Sequence, residues 1–560
     1  MVAHGHHGEV SSIDLAAIAR HTATDEGFVV EVDAAVSSEL QSFRQSHDPE
    51  GRHSSPDRSV RDLRELLWSS IDDAKTRDLD QVEYAERLPD GGTRVLIGIA
   101  DVDAFVAKGS AIDRRAAVNA TSVYTGVQTF PMLPEELSTG LTSLLPDQDR
   151  LVVVTEITVG PNGDVKEANV YRAIVHNQAK LAYTAVGDWL DGKARMPDAV
   201  KDKSGLEEQI RLQHETASRL GEFRKHNGAI ELGTIQTTPS VDERGKVVEL
   251  MMIEPNAARD LISNFMIAAN VAMAQFLETQ GGPSLRRVVR TPEHWDRIVE
   301  IAAELGEELP ATADSLALND FLEHRRKADP DRFPDLSLAV VKALGPGEYA
   351  VQLPGEEGEG HFGLAVTDYT HSTAPNRRYA DLVTQRMVKA VLKDEAALDD
   401  AAAPNTAKES TGSATKLNST SERHAVSTTR GSGWVSATEK QVTFTRDTTT
   451  SRSVPYTAEE LKQIAEHCTE REDAARKVER KIRKMAAALL LRDQIGREFD
   501  AIVTGVSPKG VFARTCKPPV DGRVVKGEED LGVGDKIRVR LKDVDPKRGF
   551  IDFTRFAKGW

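Results

Sequence analysis

The sequence predicts an α+β fold, with one large mixed domain followed by a small β-barrel. Strand patterns dominate up to about residue 175 and helical patterns take over after residue 255, the segregated order expected of an α+β body. A Ser/Thr-rich interruption separates that body from its last helices. The segment 498–555 then returns to short strands between Gly, Pro and Asp turns, as a small barrel requires.

At 560 residues the chain is long enough for several folded units, and a 39% hydrophobic content can fill their cores. The formal charge of -16 argues against a uniformly basic coat for nucleic acid but permits local basic surfaces on an acidic body. Cys468 and Cys516 cannot build a disulfide framework and have no zinc-finger spacing, which fits a reducing cytoplasm. The start has no apolar signal region and no run of eighteen apolar residues follows, so neither export nor membrane insertion is expected.

Residues 1–60 read as a lead-in, partly disordered at its ends, with a weak helix at 13–20, an apolar run at 28–32 and a polar stretch at 45–58. Residues 61–395 form the main domain. Its segment 94–103 is a buried strand, and so is 151–159, which a Pro161-Asn162-Gly163-Asp164 turn joins to a strand ending near Ile174. The segment 260–278 places Leu261, Phe265, Val271 and Phe276 near one helical face, and 294–305 and 379–392 show similar spacing. Residues 396–455 read as a disordered insertion, because 405–455 holds 21 Ser and Thr and few large apolar side chains. Residues 456–495 supply a helix starting near Ala458 and a long basic amphipathic one at 471–492. Residues 496–560 are the barrel, where fourteen Lys and Arg face ten Asp and Glu, a local excess of +4.

Asp72, Asp73, Asp78 and Asp80 fall within nine residues, beside the apolar Leu66-Leu67-Trp68. Such a stretch is either a solvated acidic loop or a cation site. Close carboxylates repel one another, and a hard divalent cation with oxygen ligands relieves that cost. An EF-hand is excluded, since no Gly sits mid-loop and no Glu closes it.

The order Asp72, Asp78, Asp80 resembles the catalytic signature of the RNB domain of the ribonuclease II/ribonuclease R family. Thr121-Ser122-Val123-Tyr124 and the run from Phe130-Pro131-Met132-Leu133-Pro134 are similar to the family's Tyr-bearing loop and its Pro-Met-Leu-Pro segment. His361-Phe362-Gly363-Leu364 and the run Tyr369-Thr370-His371 to Pro375-Asn376-Arg377-Arg378-Tyr379 resemble its Tyr-Thr-His and Arg-Arg-Tyr motif. Ile464-Ala465-Glu466-His467-Cys468 and the basic helix after it are similar to its closing helix, and the barrel to an S1 domain of the OB fold.

That resemblance implies a catalytic domain of strands and helices around a channel, followed by an S1-type OB barrel. It also implies stepwise 3′-to-5′ hydrolysis of RNA, single-stranded with a free 3′ end, to nucleoside 5′-monophosphates in the cytoplasm. Asp72, Asp78, Asp80 and Gln81 would hold Mg²⁺, with Mn²⁺ as the substitute, and Asp80 would matter most for chemistry. Arg377 would meet the scissile phosphate, with Arg378 able to share that role. Tyr124 would stack on a base near the 3′ end, or else be a core tyrosine; Glu479 would stand at the same end of the site, or else on an exposed helix face. Lys509, Phe512 and Arg514 would bind RNA on the barrel, Phe512 having a core position as its alternative. His361 and His371 read as scaffold. Two departures stand out. Gln81 occupies the position of a fourth aspartate, which favours the rival reading of a non-catalytic RNA-binding protein. The lead-in is too short for two cold-shock domains.

Overall fold

The computed structural model describes residues 13–46, 59–402 and 454–558. The Ser/Thr-rich segment 403–453 and the lead-in segments 1–12 and 47–58 lie outside the described residues. Between those lead-in segments the chain forms two helices, Leu15–Asp25 and Ala34–Ser46. The first is capped by Asp14, whose carboxylate accepts from Ala17 N at 2.9 Å. Its Leu15, Ala19 and Ala23 bury against Val478 and Ile482 of the closing helix, so tertiary packing supplies what local propensity lacks.

The centre is a six-stranded sheet in the order Val60–Asp62, Val165–Ala182, Trp68–Asp72, Gln81–Arg87, Thr93–Ala100 and Asp149–Val159. Strand Val165–Ala182 runs beyond the expected end near Ile174, because Asn177, Ala179 and Leu181 keep up the buried alternation. Its first part pairs antiparallel with Asp149–Val159 and its last residues pair parallel with Trp68–Asp72, so the sheet returns on itself. Both faces are covered. In Thr93–Ala100 the side chains of Val95, Ile97 and Ile99 enter one core and Leu96 and Ala100 the other, which explains why this strand reads as an unbroken apolar run. The turn at Gly163 has φ +85°, and a Cβ there would fall 2.0 Å from Arg219 O of helix Leu206–His226. That helix, not anticipated in the sequence, covers the same face as Ala257–Thr279.

Helix Ala257–Thr279 is capped by Asn256, which accepts from Ala258 N and Arg259 N. It is long and apolar enough to cross a membrane, yet 61% of its apolar window is buried inside the body, where Leu261 and Phe265 pack with Ile71 and Ile97. The two helices expected after residue 456 are one, Ala458–Leu491, started by a reciprocal cap between Thr457 and Glu460. This closing helix leads into a closed barrel of five strands, ordered Glu498–Ser507, Gly510–Thr515, Asp521–Lys526, Phe550–Lys558 and Lys536–Asp545. The short strand Asp521–Lys526 is the one the sequence did not reveal. Phe499, Val503, Val524 and Phe553 fill the barrel, which is docked to the main body by Lys536 on Asp331 at 2.9 Å and by a buried Arg514–Asp335 pair.

Candidate active site

The carboxylates gather where two strands diverge. Trp68–Asp72 and Gln81–Arg87 share only the pair Ser69↔Glu83, and the loop between them carries Asp73, Asp78 and Asp80. Asp72, Asp78, Asp80, Gln81, Tyr124 and Arg377 line one cavity of about 340 Å³, floored by Tyr183, Ile262 and Met266. The acidic segment therefore folds against a cavity, although Asp73, Ala74, Lys75 and Arg77 remain exposed.

Asp80 is the deepest of the acids. Ala100 N donates to its main-chain oxygen at 3.0 Å, fixing it at the sheet. Its carboxylate accepts from Asn376 N at 3.3 Å and from Arg377 Nε at 3.2 Å. Burial pushes its pKa up to about 7, against the pull of Arg377 and with the push of Asp78. Asp72 is raised too, by burial, although Asp73 N at 2.6 Å and the Thr76 hydroxyl at 3.0 Å donate to it. Asp78 accepts from the Tyr124 hydroxyl at 2.9 Å.

The loop that presents Arg377 is tied down on every side. Asp381, in the first turn of helix Tyr379–Ala402, accepts from Ala374 N and from Arg378, both at 2.8 Å. Ser122 N donates to Arg377 O at 3.0 Å, and Tyr379 N to Ala120 O at 2.8 Å. Thr142 donates to the Asn376 side chain at 2.5 Å. These ties also place Tyr124, a residue 40% exposed whose N–H donates to Glu479 Oε1 at 2.9 Å. Gly126 (φ +77°) lets the Tyr124 hairpin press on Pro239 of the strand Gln236–Val241, since a Cβ there would stand 2.7 Å from the proline ring. Tyr124 thus forms the wall between the acidic cavity and a second one of about 330 Å³, lined by Thr237, Ile253, Glu479 and Arg483.

The remaining sequence-derived candidates separate. Arg378 is a correction: Asp381 holds its guanidinium, so it braces the loop and does not reach for phosphate. Arg514 is a second correction, because its pair with Asp335 is buried and offers nothing to a ligand in solvent. Lys509 and Phe512 are exposed on the barrel, well placed for contact from outside. His361 accepts from Leu364 N at 3.2 Å, and burial lowers it to about 4. Sequence reasoning missed Asn376, Asp381 and Thr76. Asp381 alone left a readable signal, an acid three residues after Arg378 at a helix start.

Among the described residues no group of three or more His, Cys, Asp or Glu forms a ready metal cage. The donor chemistry still fits a hard divalent cation: the cavity gathers Asp72, Asp78, Asp80 and Gln81, all oxygen donors, and its deepest carboxylate carries the electrostatic cost that a cation removes.

A family described as the RNB domain matches residues 60–394, and one described as the RNase II-type exonuclease C-terminal S1 domain matches residues 497–556. The chain is 29% identical over 516 residues to ribonuclease R of Escherichia coli K12, covering 88% of this chain and 57% of that protein. It therefore spans a little over half the length of such relatives. Mycoplasma genitalium RNase R in complex with ribose methylated single-stranded RNA shares its fold, with TM-score 0.76 and 22% identity over 97% of this chain and 78% of that one. Yeast Ssd1, a pseudonuclease, also shares the fold, with TM-score 0.64 and 16% identity over 94% of this chain and 58% of that one.

Proposed function

The chain belongs to the RNB family, and on that premise we propose that it is a 3′-to-5′ exoribonuclease releasing nucleoside 5′-monophosphates from single-stranded RNA in cytoplasmic RNA turnover or trimming. One observation carries the reading: Asp80 is almost wholly buried at 3% side-chain exposure, while its partner Arg377, at 46%, faces the same cavity. A buried acid set against a reachable guanidinium suits a reaction in which phosphate approaches from the open side.

Asp72, Asp78, Asp80 and Gln81 would hold Mg²⁺ or Mn²⁺. When bound, such a cation supplies charge neutralisation at the phosphoryl oxygens and a hydroxide nucleophile. Arg377 turns its N–H donors to the non-bridging oxygens of the scissile phosphate, where they stabilise charge that grows in the transition state. Tyr124 stacks on the base at the 3′ end, held in place by Asp78 on its hydroxyl and Glu479 on its main chain. Stacking reads a π-face and not a base edge, so any sequence passes. Lys509 and Phe512 hold the incoming strand on the barrel.

Shortening of a 5′-labelled, unstructured RNA with Mg²⁺, lost with EDTA and in Asp80→Asn, is the test. The second reading, a non-catalytic RNA binder, is favoured by Gln81, a neutral amide beside Asp80 where the family resemblance places an aspartate. Tight binding without shortening would establish it.

A further inference from the structure

A part-buried hydrogen-bond chain runs from His371, at the start of the Arg377 loop, to the closing helix. Tyr349, on the strand Glu348–Gln352, sends its hydroxyl to Glu472 Oε1 at 2.7 Å and lies 2.8 Å from His371 Nδ1. Glu472 also meets Arg287 at 2.9 Å, and the Tyr349 N–H donates to Thr469 one turn earlier on the closing helix at 2.9 Å. A phenol has one proton. Given to Glu472, it leaves the phenol oxygen to accept from His371, so the imidazole carries its proton on Nδ1. His371 opens the loop that ends in Arg377 and Arg378.

We propose that Tyr349 and Glu472 are positioning residues: through His371 they register the Arg377 loop on the closing helix. Glu472 lies seven residues, two helical turns, before Glu479, so one face of this helix holds both the catalytic loop and the Tyr124 wall. Other ties, such as Asn270 on Ser372 at 2.8 Å and Arg287 N on Tyr369 O at 2.8 Å, hold the loop's backbone; the Tyr349 chain joins the His371 side chain to this helix. The consequence is specific. Breaking the chain should misplace Arg377 toward the transition state and leave RNA binding intact.

The rate arm of the test rests on the exoribonuclease reading. In single-turnover cleavage of a short labelled RNA, Tyr349→Phe and Glu472→Ala are expected to slow the reaction about 10- to 100-fold, the range for a displaced catalytic group. RNA affinity, measured in EDTA, should stay within about twofold of wild type. Glu472→Gln, which keeps an acceptor for the phenol, should recover most of the rate. Wild-type rates in the first two variants, or rate, affinity and melting temperature falling together, overturn the proposal. Hydrogen exchange needs no turnover, so it decides the matter even if the chain proves inactive. Faster exchange confined to residues 372–378 in Tyr349→Phe supports the proposal, and unchanged exchange there overturns it.

Discussion

In the acidic cavity Arg377 keeps 46% of its side chain exposed while its partner Asp80 keeps 3%; at the barrel junction Arg514 and Asp335 keep 10% and 3%. Both are arginine–carboxylate pairs, yet they do different work. A pair with one buried and one exposed member leaves N–H donors of the guanidinium open to a ligand while the buried carboxylate keeps its contact. A pair buried on both sides does not, since opening it strands two charges in a poorly solvated place. Asymmetry of burial, more than residue type, marks which of the two regions is open to a ligand and which is closed to one.

The sharpest test of that contrast lies in the cavity. Asp80→Asn removes the buried charge that faces Arg377, and RNA shortening should fall ~10²- to 10³-fold, in the range seen when an electrostatic element of a transition state is lost, with the fold intact by circular dichroism. At the junction, Arg514→Ala leaves Asp335 buried and alone. Stability of the barrel's attachment should drop by about 3 kcal/mol with little change in the salt dependence of RNA binding, read by denaturant titration and by anisotropy at several salt concentrations. If Arg514→Ala instead behaved as a lost phosphate contact, the distinction between the two pairs would fail.

A half-buried histidine away from the cavity gives a pH signature. His361 has its folded value lowered to about 4 from an ordinary value near 6.5, so between those limits the unfolded chain binds the extra proton. Its contribution is full above pH 6.5 and is lost as the pH falls toward 4, amounting to about 3 kcal/mol at roughly 1.4 kcal/mol per unit. Urea midpoints measured across that window should decline more steeply for the native chain than for His361→Phe. A smaller effect is expected at the cavity wall: Tyr124→Ala should weaken single-stranded RNA binding by about 1 to 3 kcal/mol, the usual worth of a stacked base. Smallest of all, Lys509→Ala on the exposed barrel surface should weaken binding evenly across sequences and reduce the salt slope by about one.

Elements governed by local periodicity were readable in the sequence: the buried strands around Ile97 and Val154, the helix through Phe265, the barrel around Phe553. Motif order identified the acids and the Arg377 loop, and the structure brings Asp72, Asp78, Asp80, Gln81, Tyr124 and Arg377 to one cavity. What stayed hidden depends on distant partners. Nothing near Arg514 in the chain announces Asp335, 179 residues away, so a basic side chain on an RNA-binding type of barrel was read as an RNA contact. Arg378 was misread for a related reason: two adjacent arginines look alike until Asp381 claims one of them. The Tyr349–Glu472–His371 chain draws on three separate segments, none with a periodic or spacing signal of its own.

The closure of the central sheet also orders events in time. Trp68–Asp72 pairs with the end of a strand roughly a hundred residues further along, a contact that costs much loop entropy before it returns any stability. The acidic loop hangs from that late seam. During synthesis, therefore, the nascent polypeptide carries its aspartates for some while without a cavity, which closes only after the far strand and, later still, the Arg377 loop have been made.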